Sequence, residues 1–212
     1  VSLIYGILRF AYFTAGDLMS FGTMFTILFT WYFQSLGINL GFLPTALLAI
    51  PFGVAITILY VLVKDKLVFS YYRTQKSPPV MLAMVSIGTM FITQAIVRIV
   101  IGPFDRRFFD GEKFILKANE FKEMTGLNEG LTIKSTQVIT LLVTIIVVSI
   151  LFWFLNRTKT GKSMRAYSDN EDLALLSGID PKKVVMITWI IAAILATIGG
   201  ALYGLDKSFK PF

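Results

Sequence analysis

The sequence predicts an all-α protein, a polytopic bundle of transmembrane helices. Three observations carry this. Of 212 residues, 55% are hydrophobic, the mean hydropathy is +0.71, and the apolar residues come in uninterrupted blocks with charges gathered between them. A helix needs roughly 20 apolar residues to cross a hydrocarbon layer about 30 Å thick. Blocks at residues 18–36, 42–63, 79–101, 138–155 and 184–205 meet that length, and residues 1–15 read as part of another. About six spans in a single unit, 1–212, are therefore expected. Because apolar sequence starts at Val1 and no polar tail follows Phe212, the chain reads as an internal piece truncated at both ends.

Each element follows in turn. Residues 1–15 end at Gly16-Asp17, a tight turn into the next block; Arg9 and Asp17, near helix ends, are placed to pair across or cap that turn. Gly37, Asn39 and Gly41 supply turn chemistry after residues 18–36. Pro44 reads as a first-turn proline and Pro51 as a kink within residues 42–63. Ser77-Pro78-Pro79 marks the start of the next helix. That helix carries a polar stripe of Ser86, Gly88, Thr89, Thr93 and Gln94, and Gln94 needs a partner inside the bundle. Arg98, near its end, is placed to snorkel. Residues 102–134, with Gly111, Gly126 and Gly130, form a long loop expected to fold as a cap, strand and coil being undecided. The last block carries Ala192, Ala193, Ala196, Gly199, Gly200, Ala201 and Gly204, small residues that let helices approach closely in lipid.

Charge sets the orientation. The net charge of +7 is carried mainly by loops, which favours membrane topology over nucleic acid as its explanation. Lys64, Lys66, Arg73 and Lys76 face only Asp65 after residues 42–63. Arg157, Lys159, Lys162, Arg165, Lys182 and Lys183 outnumber Asp169, Glu171, Asp172 and Asp180 in the 156–183 insert, whereas acids and bases balance in 102–134. The positive-inside rule puts the first and last of these in the cytoplasm and 102–134 outside.

The residue inventory narrows the chemistry. With no Cys and no His, the chain lacks thiolate ligands, disulfides and the commonest general base. No catalytic, cofactor or metal site is expected, and an intramembrane enzyme would lack a visible nucleophile and base. No Gly-x-x-x-x-Gly-Lys-Ser/Thr phosphate loop occurs either. The 156–183 insert is the strongest clue: a short amphipathic helix over residues 169–176, with Gly178 its stop and Pro181 the bar to continuation, in a loop that needs only a few residues to turn.

Two motifs carry a resemblance. Leu3-Ile4-Tyr5-Gly6 and then Phe13-Thr14-Ala15-Gly16-Asp17-Leu18-Met19, together with Gly161, Arg165, Ala166, Asn170, Ala174, Leu176, Gly178, Ile179 and Asp180 in register, resemble the membrane permease subunits of ATP-binding-cassette importers for branched-chain amino acids. The match is to the first of the two paired permeases, the type shared with urea and short-amide importers. Tyr12 stands where the family usually has Asn, Ala15 where it has His, and Asn170 where Asp is usual.

The resemblance implies a transport subunit in a bacterial inner (plasma) membrane, without enzymatic activity or cofactor of its own. Its implied partners are a second permease subunit, cytoplasmic ABC ATPase subunits, a periplasmic solute-binding protein and the lipid bilayer. Tyr5, Gly6, Gly16 and Asp17 form the first-helix motif, the 161–180 residues the ATPase-coupling loop, and Ala193, Ala196, Gly199, Gly200 and Gly204 the packing face. Branched-chain amino acids are the expected solute, with urea, short amides or another amino acid as the alternative. A secondary transporter driven by ions wants ionisable residues near mid-membrane, and Arg9, Asp17 and Arg98 all read as lying near span ends.

Overall fold

The computed structural model describes residues 2–8, 10, 12–38, 44–75, 77–108, 115–116, 133–207 and 209. The expected Arg9–Asp17 pairing involves Arg9, which lies outside them, as do Asn39, Gly41, Lys76 and, in the long loop, Gly111, Gly126 and Gly130. The described helices are α1 (Ser2–Leu8), α2 (Ala15–Ser35), α3 (Ala46–Lys64), α4 (Ser70–Thr74), α5 (Pro79–Ile101), α6 (Ser135–Arg157), α7 (Lys159–Asp169), α8 (Glu171–Leu176) and α9 (Pro181–Asp206). Among the described residues, β1 (Ile115–Leu116) pairs antiparallel with β2 (Ile133–Lys134), and Arg106 and Phe209 form an isolated antiparallel bridge. The fold is all-α.

Four described helices are long and apolar enough to cross a membrane: Ala46–Thr74, Pro79–Ile101, Thr136–Arg157 and Pro181–Asp206. α2 has the length, 21 residues, but Asp17 and its many threonines and glycines make it less apolar than these four. α1 has 7 residues. The expected count of about six spans thus corresponds to four on composition and length among the described residues.

The second span differs from expectation. A loop was expected from Lys64 onward because of its charges; instead a single π turn (Asp65–Phe69) links α3 to α4, and the helix runs on to Thr74. The charges are absorbed sideways. Lys64 is buried, and Asp65 forms a two-point ion pair with Arg73 at 2.8 and 2.9 Å. Pro44 stands before the first helical residue rather than in the first turn, and Pro51 lies inside α3 on an exposed face. Pro78 and Pro79 do mark the start of α5, as its N-cap and first residue.

α2, α3 and α9 pack on one another as the centre of the bundle, with α5 against α2. Small residues set their spacing. A Cβ on Gly200 would meet Thr23 Oγ1 and lie 2.7 Å from the Met19 carbonyl oxygen; one on Gly22 would meet Thr197, and one on Gly53 Thr26. Ala193 is fully buried and Gly204 faces Phe108, while Ala196 and Gly199 are half-buried. Gly199, Gly200 and Gly204 lie against Met19 and Thr23 of α2, the backbones approaching closely as small residues allow in lipid. α2's threonines follow the same logic. Thr23, Thr26 and Thr30 are buried, each hydroxyl donating to the carbonyl four residues earlier, so no hydroxyl is stranded.

Two apolar clusters fill the bundle's ends. One joins Ile7, Leu18, Val61, Met164, Ala174 and Val184 with an aromatic group, and the other joins Phe21, Met24, Ile27, Val97, Leu202 and Phe209. The first lies at the end that carries α7 and α8, the second at the opposite end.

Candidate functional site

The polar insert between α6 and α9 is not one helix but two, each with its own start. Thr158 caps α7 by accepting from the Gly161 amide at 3.0 Å. Asn170 interrupts the helix with an extended backbone and caps α8, its Oδ1 accepting from the Leu173 amide at 3.0 Å. The helix expected at 169–176 is therefore α8 alone, Asp169 belonging to α7. An Asn serves here as well as the Asp it replaces, since either side chain offers the oxygen an N-cap requires.

The Gly178-Ile179-Asp180-Pro181 motif is a stop followed at once by a start. Gly178 adopts φ 78°, the Ile179 amide donates to the Ala174 carbonyl at 3.1 Å and the Gly178 amide to Leu175 at 3.0 Å. That pair of bonds closes a helix on a left-handed residue, which glycine adopts without penalty. Asp180 then caps α9, accepting from the Lys182 amide at 2.9 Å, with Pro181 as first helical residue. Gly161 is required by proximity instead: a Cβ there would meet the Phe154 carbonyl and lie 2.6 Å from Leu155 Cα, where α6 turns into α7.

The insert is docked on the bundle by one face and open on the other. Met164, Tyr167 and Ala174 are buried in the first cluster, and the Tyr167 hydroxyl donates to Glu171 Oε1 at 2.6 Å, tying α7 to α8. Leu173 is 60% exposed and Leu176 85%; Arg165 and Ala166 are exposed too. Ala174, which the resemblance places in the ATPase-coupling loop, faces the bundle and not a partner. It is 3% exposed within the chain itself, so a partner meets the leucines and not Ala174.

The two sequence motifs meet in space. A Cβ on Gly6 would meet Ser168 Oγ, so α1 lies against α7 at the Gly6 position. Tyr5 beside it is 58% exposed, and Gly16 has open space around it. Asp17 is buried, and its Oδ1 accepts from Gln94 Nε2 at 3.1 Å, the bundle partner Gln94 was expected to need.

Around Asp17 lies a buried polar centre that residue-by-residue reading missed. Lys64 Nζ donates to the Tyr12 hydroxyl at 2.6 Å and sits 5.1 and 5.3 Å from the ring centroids of Tyr12 and Tyr60. Tyr60 shares a 2.7 Å hydrogen bond with Thr93, and Asp65 Oδ1 accepts from Trp189 Nε1 at 2.7 Å. Tyr12, Phe10, Phe69 and Trp189 pack ring against ring, Tyr12 edge-on to Trp189 at 4.8 Å. The polar stripe of α5 serves this centre: Ser86 and Thr89 bind the Phe13-Thr14 turn, and only Gly88 lies off the packed face. Tyr12 had stood out as a departure from a motif, and Lys64 as a loop charge. A lysine and an aspartate adjoining at the end of an apolar run was the available signal.

A family model described as "Branched-chain amino acid transport system / permease component" matches residues 1–212. The chain is 24% identical over 209 residues to the high-affinity branched-chain amino acid transport system permease protein LivH of Escherichia coli, and 22% identical over 214 residues to LivH of Salmonella typhimurium. Each alignment covers 96% of this chain and 63% of the relative, so the chain spans less than two thirds of those proteins. Over 77 residues it is 29% identical to the permease BraD of Pseudomonas aeruginosa, 36% of this chain and 25% of that one. No solved structure matches.

Proposed function

The chain belongs to the branched-chain amino acid transport permease family, a family of transport subunits rather than enzymes, and from that premise we propose that it is the membrane half of an ATP-driven importer. It works with a second permease, cytoplasmic ATPase subunits and a periplasmic solute-binding protein in a bacterial inner membrane, and moves branched-chain amino acids inward. Its relatives' names supply the solute class. Residues 156–183 face the cytoplasm and 102–134 the outside.

One observation carries the coupling step. On a polar insert held by three side-chain caps and docked by its inner face, Leu173 and Leu176 stay exposed. Apolar side chains ordered in water mark a binding surface. An ATPase groove that grips them moves a lever already fixed to α6 and α9, and Gly6 against Ser168 extends the lever to α1.

The test is Leu173→Glu with Leu176→Glu. Both positions are solvent-facing, so the variant is expected to insert and pair normally while ATPase co-purification and leucine uptake fall at least tenfold, the loss of about 1.4 kcal/mol or more of docking energy. Intact coupling in this variant removes the proposal. Orientation is read separately: Ser177→Cys should resist an impermeant maleimide in intact cells, and Lys117→Cys should react.

A second reading has one observation in its favour. Asp17 and Lys64, 4% and 6% exposed, are the kind of interior charges an ion-driven carrier uses. Uptake that survives ATP depletion and collapses with the ion gradient would select it.

A further inference from the structure

A groove of about 450 Å³ runs between α6 and α9 from the level of the polar insert toward the middle of both helices. α6 supplies Val147, Ile150 and Phe154 to one wall and α9 supplies Ile187, Ile194 and Ile198 to the other, while Thr160, at the start of α7, closes the insert end. These spacings keep each set on one helical face. We propose that the groove seats one acyl chain of an anionic phospholipid, its phosphate headgroup held at the insert end by Arg157, Lys159 and Lys183. This goes beyond the transport reading and needs only that α6 and α9 cross a membrane.

Length selects a lipid tail over a helix. From Ile187 to Ile198 the α9 wall rises about 16 Å at 1.5 Å per residue, close to one leaflet of a hydrocarbon core about 30 Å thick. Beyond the groove, α6 extends from Val147 back to Ser135 and α9 from Ile198 on to Asp206. A helix from another subunit would follow both walls to their ends. A groove that stops at mid-membrane fits a chain that stops there too. Thr160 is the one polar residue in its lining, and it stands at the headgroup end.

Charge selects an anionic headgroup. Arg157 lies three residues beyond Phe154 on α6, and Lys183 four residues before Ile187 on α9, so each continues its wall by one turn. Lys159 adjoins Thr160 between them. All three cations are exposed, and among the described residues no carboxylate pairs with any of them. Asp180, the acid nearest to Lys183 in the sequence, is engaged at the start of α9, where its Oδ1 accepts from the Lys182 amide at 2.9 Å. The level agrees as well. Trp153, exposed one turn before Arg157, is a residue type that collects at the boundary between acyl chains and headgroups. Cations at the mouth of a cleft between membrane helices recognise anionic headgroups, whereas a zwitterionic lipid offsets its phosphate with its own ammonium.

The experiment uses the assembled transporter in detergent, titrated with phosphatidylglycerol or phosphatidylcholine of matched acyl chains and followed by native mass spectrometry. The native complex is expected to retain phosphatidylglycerol in preference to phosphatidylcholine. Arg157→Gln with Lys183→Gln should weaken phosphatidylglycerol binding about tenfold or more, each cation near an anionic lipid contributing roughly fivefold, and should leave phosphatidylcholine binding unchanged. Arg157→Lys with Lys183→Arg, which keeps the charges, should restore it. A phosphatidylglycerol with a diazirine in its tail should label residues 187–198 in the native complex, and inorganic phosphate should not displace it. Equal retention of the two lipids by the native complex, or phosphatidylglycerol binding untouched by the double Gln variant, would overturn the site and leave a seam wetted by any lipid. Displacement by inorganic phosphate would overturn it in favour of a soluble anion. Labelling that misses both walls, with a cross-link from Ile194→Cys to another polypeptide, would overturn it in favour of a protein helix.

Discussion

α2 and α6 invert the ordinary rule for what a protein buries. α6 is among the most apolar segments of the chain, yet none of its membrane-length window is buried, against 44% for α9. α2, with Asp17, three threonines and two internal glycines, sits at the centre. In water the apolar helix would be inside. In lipid the tails are as apolar as leucine, so burial is decided by close packing and by polar groups that need partners. Hydropathy therefore locates helices in this chain but does not rank them by depth.

The sharpest way to break this comparison is to charge the outer helix. Ile146, 56% exposed on α6, changed to Asp should cost about 2.5–3.5 kcal/mol of insertion if that face meets lipid, read as a fall in the membrane-integrated fraction in a glycosylation-reporter assay. A negligible cost would mean that the face borders water.

Next in size is the helix contact. Gly200→Leu places a side chain against Thr23 and the Met19 backbone, and overpacking of this kind costs about 1–3 kcal/mol, occasionally more. It should lower the midpoint of thermal unfolding in detergent, whereas Ile191→Leu should shift it little. Equal behaviour of the two would remove the α2–α9 packing argument.

The smallest effect sharpens the account of polar burial. Asp17→Ala strands the Gln94 amide and should cost about 1–3 kcal/mol, while Asp17→Ala with Gln94→Leu should recover part of that, because a missing pair is cheaper than a half-satisfied one. Additive losses would mean that the 3.1 Å bond contributes nothing to holding α2 on α5.

What was readable beforehand divides along the same line. The limits of α5, the small face of the last span and the stop at Gly178 all came from local chemistry: proline at a helix start, small residues in a row, glycine before Ile-Asp-Pro. Gln94's need for a partner came from polarity alone. The partner did not, since Asp17 lies 77 positions away. Lys64 shows the cost of counting charges along a line. Read as one of four loop cations, it turned out to belong to a helix that continues through a π turn, because Tyr12, Arg73 and Trp189 satisfy the polar groups there.

By itself, then, the sequence determined that this chain is helical and built for a bilayer, where the polar insert falls and that a helix within it stops at Gly178. Those properties depend on residues within a few positions of one another. Only the tertiary structure decided that α2 is central and α6 peripheral, that Ala174 faces the bundle while Leu173 and Leu176 do not, and that Trp31 and Gln34 share a cleft with Asp105, Arg106 and Arg107. Each of these is a choice among faces of helices that look alike to a lipid. The choice is made by which small residues and which polar side chains find one another across the bundle.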